Sequence, residues 1–265
     1  MPDAWNPDRY GSFSDERSRP FVDLLSLVRP AGVREVLDLG CGTGQLTNRL
    51  HRELSATVTL GIDRSEAMLE RARAVQAAGL RFEAGDVAGY EPEGTFDLVF
   101  SNACLHWLDD HPSLWRRVLG WVRPGGQLAI QIPANHDSVP HRVANEVAAR
   151  EPHRTALEGY TRQSPVLAPE AYAELLNELG CAEAEVFLRV YGHQLASREA
   201  VVEWMRGTTL TTYEERLDAD AFECFVEDYS RELLGRLSPA RPFFYPFKRI
   251  LMWARKPAAA APVRT

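Results

Sequence analysis

The run Val36-Leu37-Asp38-Leu39-Gly40-Cys41-Gly42-Thr43-Gly44 constrains the fold more than any other part of the chain. An apolar strand pattern ends in alternating glycines, and a helical pattern follows at 45–52. Glycines there permit a tight turn and let a ligand approach the backbone. Further short apolar runs at 58–62, 80–83, 96–100 and 126–132 alternate with helical patterns. Runs of this length, closed by Gly or Asp, suit buried parallel strands. Ser65 is placed to cap a helix with Glu66 in its first turn, and Met68, Leu69, Ala72 and Val75 form its apolar side. The series is therefore βαβ, which predicts an α/β fold with helices on both faces of a mostly parallel sheet.

The pattern changes after Pro133. Residues 139–149 and 169–179 read as helices, 185–195 as a long strand, 197–206 and 218–237 as helices, and 244–254 as a last, aromatic-rich strand. Phe222, Phe225, Tyr229 and Leu233 recur at helical spacing, as a core-facing stripe does. The two late strands bracket a helical insertion and are expected to pair antiparallel at one edge, completing seven strands.

At 265 residues and 45% apolar content, the chain suffices for one large domain with a full core. No apolar run approaches the roughly 20 residues of a membrane helix, and the polar start lacks a signal-peptide core, so a cytoplasmic protein is expected. Cys41, Cys104, Cys181 and Cys224 are scattered without metal-ligand spacing. His111, His136, His141 and His153 also lack such spacing, and no metal is expected. The net charge of −7 disfavours a nucleic-acid partner but leaves room for a small anionic substrate in a locally positive pocket.

Gln45 stands where a dinucleotide fingerprint has its third glycine, which counts against NAD. Asp38 brings negative charge to the end of the first strand, where an ammonium would be favoured. Asp63 ends the second strand about 20 residues beyond the turn, the position from which a carboxylate accepts ribose hydroxyls. Asp86 follows the third strand and can accept an adenine amino group, with the Val87 N–H facing a ring nitrogen. Acids at successive strand ends fit a nucleoside carrying an amino-acid end, namely S-adenosylmethionine, because open α/β sheets bind ligands at the carboxyl ends of their strands.

DLGCGTG, GIDRSEAML, the Gly-Asp after the third strand, FDLVFSNACLHWL and a VRPGG turn at 122–126 together resemble the class I methyltransferase family. That implies a Rossmann-like domain and adds Gly40, Cys41, Gly42, Gly44, Arg64 and Asn102 to the expected cofactor contacts. WNPDRYGSFSDERSRP, NACLHWL, QIPAN, YGHQL and PFKRILMWA resemble trans-aconitate methyltransferases more narrowly. The implied layout is one domain over 1–257, with an N-terminal lid at 1–30, a cofactor core at 31–133 and substrate-side helices and strands at 134–257. Residues 258–265 would form a disordered tail. Either a monomer or a homodimer fits.

The implied reaction esterifies a carboxylate of a small polycarboxylic acid, best matched by trans-aconitate. The alternative is an N-, C- or phenol O-methyltransferase acting on another small molecule. A carboxylate is ionised at neutral pH and needs no general base, and its remaining charges call for arginine. His106 and Trp107 follow the fourth strand and are the candidates for the methyl-transfer site. His106 reads equally as a solvated loop residue and Trp107 as core. Arg17 and Arg19, in the lid, are candidate carboxylate grips or plain surface charges. Tyr10 is a candidate cofactor contact or simple packing. His193, in a strand, is a substrate contact or a structural histidine. Arg249 interrupts the apolar run 247–253, either as an exposed position on an edge strand or as a carboxylate clamp.

Overall fold

The computed structural model describes residues 14–259, with side chains from residue 19 onward. Seven strands form one sheet: β1 (Glu35–Leu39), β2 (Val58–Asp63), β3 (Leu80–Ala84), β4 (Phe96–Asn102), β5 (Val122–Pro133), β6 (Glu183–Leu195) and β7 (Phe243–Arg255). Their order is β3-β2-β1-β4-β5-β7-β6. The first five pair parallel, and β7 pairs antiparallel with both β5 and β6.

The expected strands and the antiparallel pair are all present, with two differences. VRPGG is not a separate turn but the start of β5. The register shifts between Phe96 and Leu98, which pair with Val122 and Gln127, and this irregularity absorbs the extra residues. The second concerns Arg249: β7 lies between β5 and β6, so the edge-strand alternative for that residue does not hold. Arg249 consequently faces an interior, at 4% exposure.

Ser65 caps the helix Glu66–Arg73 as its sequence predicts, accepting from the Met68 N–H at 3.2 Å. The helix Gln45–Glu53 starts on Gly44, whose φ is +74°. A Cβ there would lie 2.7 Å from the Phe82 ring and 3.0 Å from Ala72 Cα. Gly44 thus serves close packing of the turn on its neighbours as well as a left-handed backbone.

The core of the parallel strands is built from Leu37, Leu39, Leu60, Ile62, Val99 and Ile130 against Trp115, Val118 and Tyr172 on flanking helices. Fully burying one such apolar side chain is worth about 1.5–3 kcal/mol. A second cluster joins the helices Val139–Ala148, Glu199–Arg206 and Ala219–Arg236 to the start of β7, and Phe222, Phe225, Tyr229 and Leu233 lie in it as their spacing predicts. This helical layer covers one end of the sheet. No helix among the described residues is long and apolar enough to cross a membrane.

Candidate active site

Two cavities adjoin at the ends of the parallel strands. The first, of about 110 Å³, is lined by Gly40 and Gly42 from the turn, Asp63 and Arg64 after β2, Asp86 and Val87 after β3, and Asn102 from β4. The second, of about 300 Å³, lies beneath the helical layer. Asn102, Ala103 and Trp107 line both.

Asp63 anchors the first cavity. One carboxylate oxygen accepts from the Gly42 N–H and the other from the Ser65 N–H, each at 2.9 Å. The acid at the end of β2 therefore fixes the glycine turn at the end of β1 while remaining part of the cavity wall. Asp86 accepts from the Ala88 N–H at 2.9 Å and stays exposed at the rim. Asn102 Oδ1 is buried and makes no hydrogen bond. A Cβ on Gly42 would meet nothing within 4 Å, so this glycine leaves open space on the ligand side, whereas one on Gly40 would run into Cys104. A cradle of bare backbone, two acids and an orphaned buried amide oxygen fits an adenosine with an amino-acid end.

Asp38 does not reach that wall. It is buried beneath the turn at 5% exposure and accepts from Thr47 Oγ1 at 2.6 Å. Burial raises its carboxyl to about 7, Thr47 opposes the rise, and the neighbouring Asp63 charge adds to it. Cys41 and Gly44 are likewise behind the cavity, packed with Leu69, Ala72 and Phe82 in the case of Cys41.

Among the described residues the second cavity carries positive charge from Arg162 and Arg249 and no carboxylate; His106, His136, His141, Asn135, Asn145, Gln163, Ser164, Thr208 and Thr209 are its further polar groups. Arg249 donates from Nη1 to Gln131 Oε1 at 3.2 Å, and its guanidinium lies 4.8 Å from the Phe247 ring centre. Arg162 is held through its backbone. Its N–H donates to Asn145 Oδ1 at 3.0 Å, and Asn145 Nδ2 returns a bond to its carbonyl at 2.9 Å. The Tyr213 hydroxyl donates to the same Asn145 Oδ1 at 2.6 Å. The helical layer thereby delivers Arg162 to the cavity in a fixed position.

His106 is held well below its ordinary pKa, first by burial and then by Arg162 and Arg249. Its Nδ1 is buried and makes no hydrogen bond. His141, bonded through Nδ1 to Ser138 Oγ at 2.9 Å, is pushed down to about 3 by burial, Arg162 and His136. Both imidazoles are neutral at physiological pH.

Of the residues expected to hold a substrate, the cavity contains Arg249, His106 and Trp107. His193 stands behind it, with ring centres 5.3 Å from Trp204 and 6.1 Å from Phe247, both of which line it. Arg19 is exposed, 5.7 Å from the Tyr191 ring centre, and lines neither cavity. Tyr10 and the Arg17 side chain lie outside the described residues. Arg162 was missed by sequence reasoning. Its signal is modest: it is the sole charge in the run 159–169. Spacing also gave no warning that His153, Cys224 and Asp228 bring ligand-type atoms within 4.8 Å of one another. There His153 Nε2 is 2.9 Å from Asp228, and Arg231 binds the same carboxylate, so the group is already an ion-paired network.

This strand order, with a glycine turn after β1 and two cavities meeting above the strand ends, defines a class I S-adenosylmethionine-dependent methyltransferase. The chain is 43% identical over 260 residues to a trans-aconitate 2-methyltransferase of Deinococcus radiodurans, covering 96% of this chain and 99% of that one, and it belongs to that family. A homologue of the same name from Methylobacterium radiotolerans is 37% identical, with 95% and 98% of the two chains covered. A family model described as a methyltransferase domain matches residues 36–126. Among solved structures, the YcgJ protein of Bacillus subtilis superposes with a TM-score of 0.57 at 15% identity, over 91% of this chain and all of that one, a likeness of fold.

Proposed function

We propose that this enzyme transfers the methyl group of S-adenosylmethionine to a carboxylate of a small polycarboxylic acid, with trans-aconitate, the acid in its relatives' names, as the best acceptor. The observation that carries this reading is the second cavity: two arginines and, among the described residues, no acid, opening onto the first cavity at Asn102, Ala103 and Trp107. Guanidinium groups bind carboxylates bidentately and remain charged. Bound S-adenosylmethionine supplies an electrophilic methyl on a sulfonium.

In this reading Asp63 accepts the ribose hydroxyls and Asp86 the adenine amino group beside the Val87 N–H. Gly40, Gly42, Arg64 and Asn102 complete the wall, and Tyr10 and Arg17 are assigned to the lid. Arg162 and Arg249 hold the carboxylates that do not react. Trp107 and neutral His106 bound the passage between the cavities, so that one carboxylate oxygen is kept in line with the methyl carbon. Such positioning can supply roughly 7–11 kcal/mol. The nucleophile is already an anion, and no proton needs to be removed.

Incubation with methyl-labelled cofactor and a panel of di- and tricarboxylates, phenols and amines tests the proposal. A base-labile methyl ester of a polycarboxylate is expected, with a rate that is level through neutral pH when cofactor is saturating. Turnover confined to phenols or amines, with a rate that follows an ionising base, overturns it.

A further inference from the structure

β6 ends the sheet, and among the described residues no strand pairs with its outer edge. It runs in unbroken register with β7 from Glu183 to Leu195, so it is long and without a bulge where free edges are ordinarily short or bulged. Phe187, Leu188 and Val190 on it are 43%, 50% and 58% exposed. An edge with those side chains is a template for another strand.

The sequence of this edge matches itself. Glu185-Val186-Phe187-Leu188-Arg189 reads as acid, apolar, apolar, apolar, base. We propose that two copies of this chain join their sheets along β6, antiparallel about a two-fold axis through Phe187. That register sets Glu185 opposite the partner's Arg189, and by symmetry repeats the pair on the other side of the axis. Phe187 meets the partner's Phe187 on the same face. On the opposite face Val186 lies across from the partner's Leu188, and Ala184 from the partner's Val190. Centring on Arg189 instead would oppose two arginines, and centring on Leu188 would set Phe187 against the partner's Arg189. Cross-strand pairs of opposite charge and of apolar groups favour a register, while like charges oppose it.

Both charged groups are available for the pairing. Glu185 is exposed, and Arg189 keeps 54% exposure while one nitrogen lies 2.8 Å from Asp23. A guanidinium has five N–H donors, so Arg189 can retain Asp23 and still meet a second carboxylate.

Sedimentation velocity over a micromolar concentration series should show a dimer. Glu185→Arg and Arg189→Glu should each give a monomer that still transfers methyl groups, and the two combined should restore the dimer, because the pairing is only inverted. Phe187→Cys in a Cys224→Ser background reads the register directly. Residues facing each other across an antiparallel pair have Cα atoms about 4.5–5.5 Å apart, within disulfide reach, so mild oxidation should link the copies. A monomer at every concentration, a dimer indifferent to both charge reversals, or a charge-reversed pair that stays monomeric would overturn the proposal.

Discussion

The Arg162 guanidinium sits 4.5 Å from the centre of the Trp107 ring. Trp107 is a wall of both cavities, so this stack places a permanent positive charge beside the junction of the two. A partly desolvated cation–π contact of this kind is worth about 0.5–2 kcal/mol, enough to hold the charge in one orientation.

Arg162→Ala should therefore lower kcat/KM for trans-aconitate by about 2–5 kcal/mol, the range for truncating one member of a buried charge pair. Cofactor affinity should hardly change. Arg162→Lys should recover part of the loss, since it keeps the charge but not the planar fork or the stack. Unaltered kinetics in the alanine variant would show that Arg162 does not touch the acceptor.

Arg249→Ala should act on the same substrate in the same direction, by about 2–5 kcal/mol. Side chains gripping one ligand are coupled, so the double variant with Arg162→Ala should fall short of the sum of the singles. A neutral acceptor should respond little to either change. Loss of cofactor binding and of thermal stability together would make Arg249 a structural residue that serves Gln131.

The parallel half of the fold was readable because its signals are local. Short apolar runs, the Ser65 cap and the glycine turn each depend on residues within a few positions of one another. Asp63 was readable as a strand-end residue of the cavity for the same reason, but its hold on the Gly42 N–H was not, because that bond joins residues 21 positions apart at the ends of β1 and β2. The second cavity was less legible. Arg249 announced itself as a charge in an apolar strand, yet its burial follows from β7 lying inside the sheet, which spacing cannot tell. Arg162 lies in a loop without periodicity, and it is a cavity residue because Asn145, on a separate helix, bonds both its backbone N–H and its carbonyl. Asp38 was expected at the ligand, whereas Thr47 keeps it beneath the turn.

Asp63→Ala should weaken cofactor binding by about 1.5–3 kcal/mol, the range for a hydrogen bond to a charged group. Because the same carboxylate ties down the turn and Ser65, the variant should also lose thermal stability, and bound cofactor should offset less of that loss than in the wild type. NAD should not compete at the site. Calorimetry that finds normal cofactor affinity in the alanine variant would remove Asp63 from the ribose.

Gly42 and Gly44, two of the three left-handed glycines of the turn, should separate packing from binding. Gly44→Ala strains a φ of +74° and drives a methyl group into Phe82 and Ala72, so unfolding should be easier by about 1–2 kcal/mol or more, the cost of a left-handed non-glycine residue. Gly42→Ala has a φ of +55° but open space around its Cβ. Its main effect should be on cofactor affinity, because the added methyl group occupies the ligand's side of the turn. Chemical denaturation and calorimetry on both variants check this, and equal losses of stability with equal affinities would contradict it.

Asp38 is buried beneath the glycine turn. Its carboxyl, ordinarily near 3.8, is raised to about 7 in the folded protein, with burial the leading cause. Between these values the unfolded chain has lost the Asp38 proton while the folded chain still holds it. The contribution of Asp38 to stability is therefore fully present below pH 4 and is lost as pH rises through 7. Gly40 and Gly42, directly above it, line the first cavity, the proposed cofactor site, and an ammonium end bound there would favour an ionised carboxylate nearby. Cofactor binding near pH 6 should then expel a proton, and affinity should improve as pH rises toward 8. Asp38→Asn keeps an acceptor for Thr47 and removes the ionisation, so it should flatten both this trend and the Asp38 part of the stability profile. Titration calorimetry in buffers of different ionisation enthalpy reads the proton directly. Identical binding heats in all buffers for the wild type, or the same proton release from Asp38→Asn, would show that Asp38 does not ionise with the cofactor and acts only as a brace for the turn.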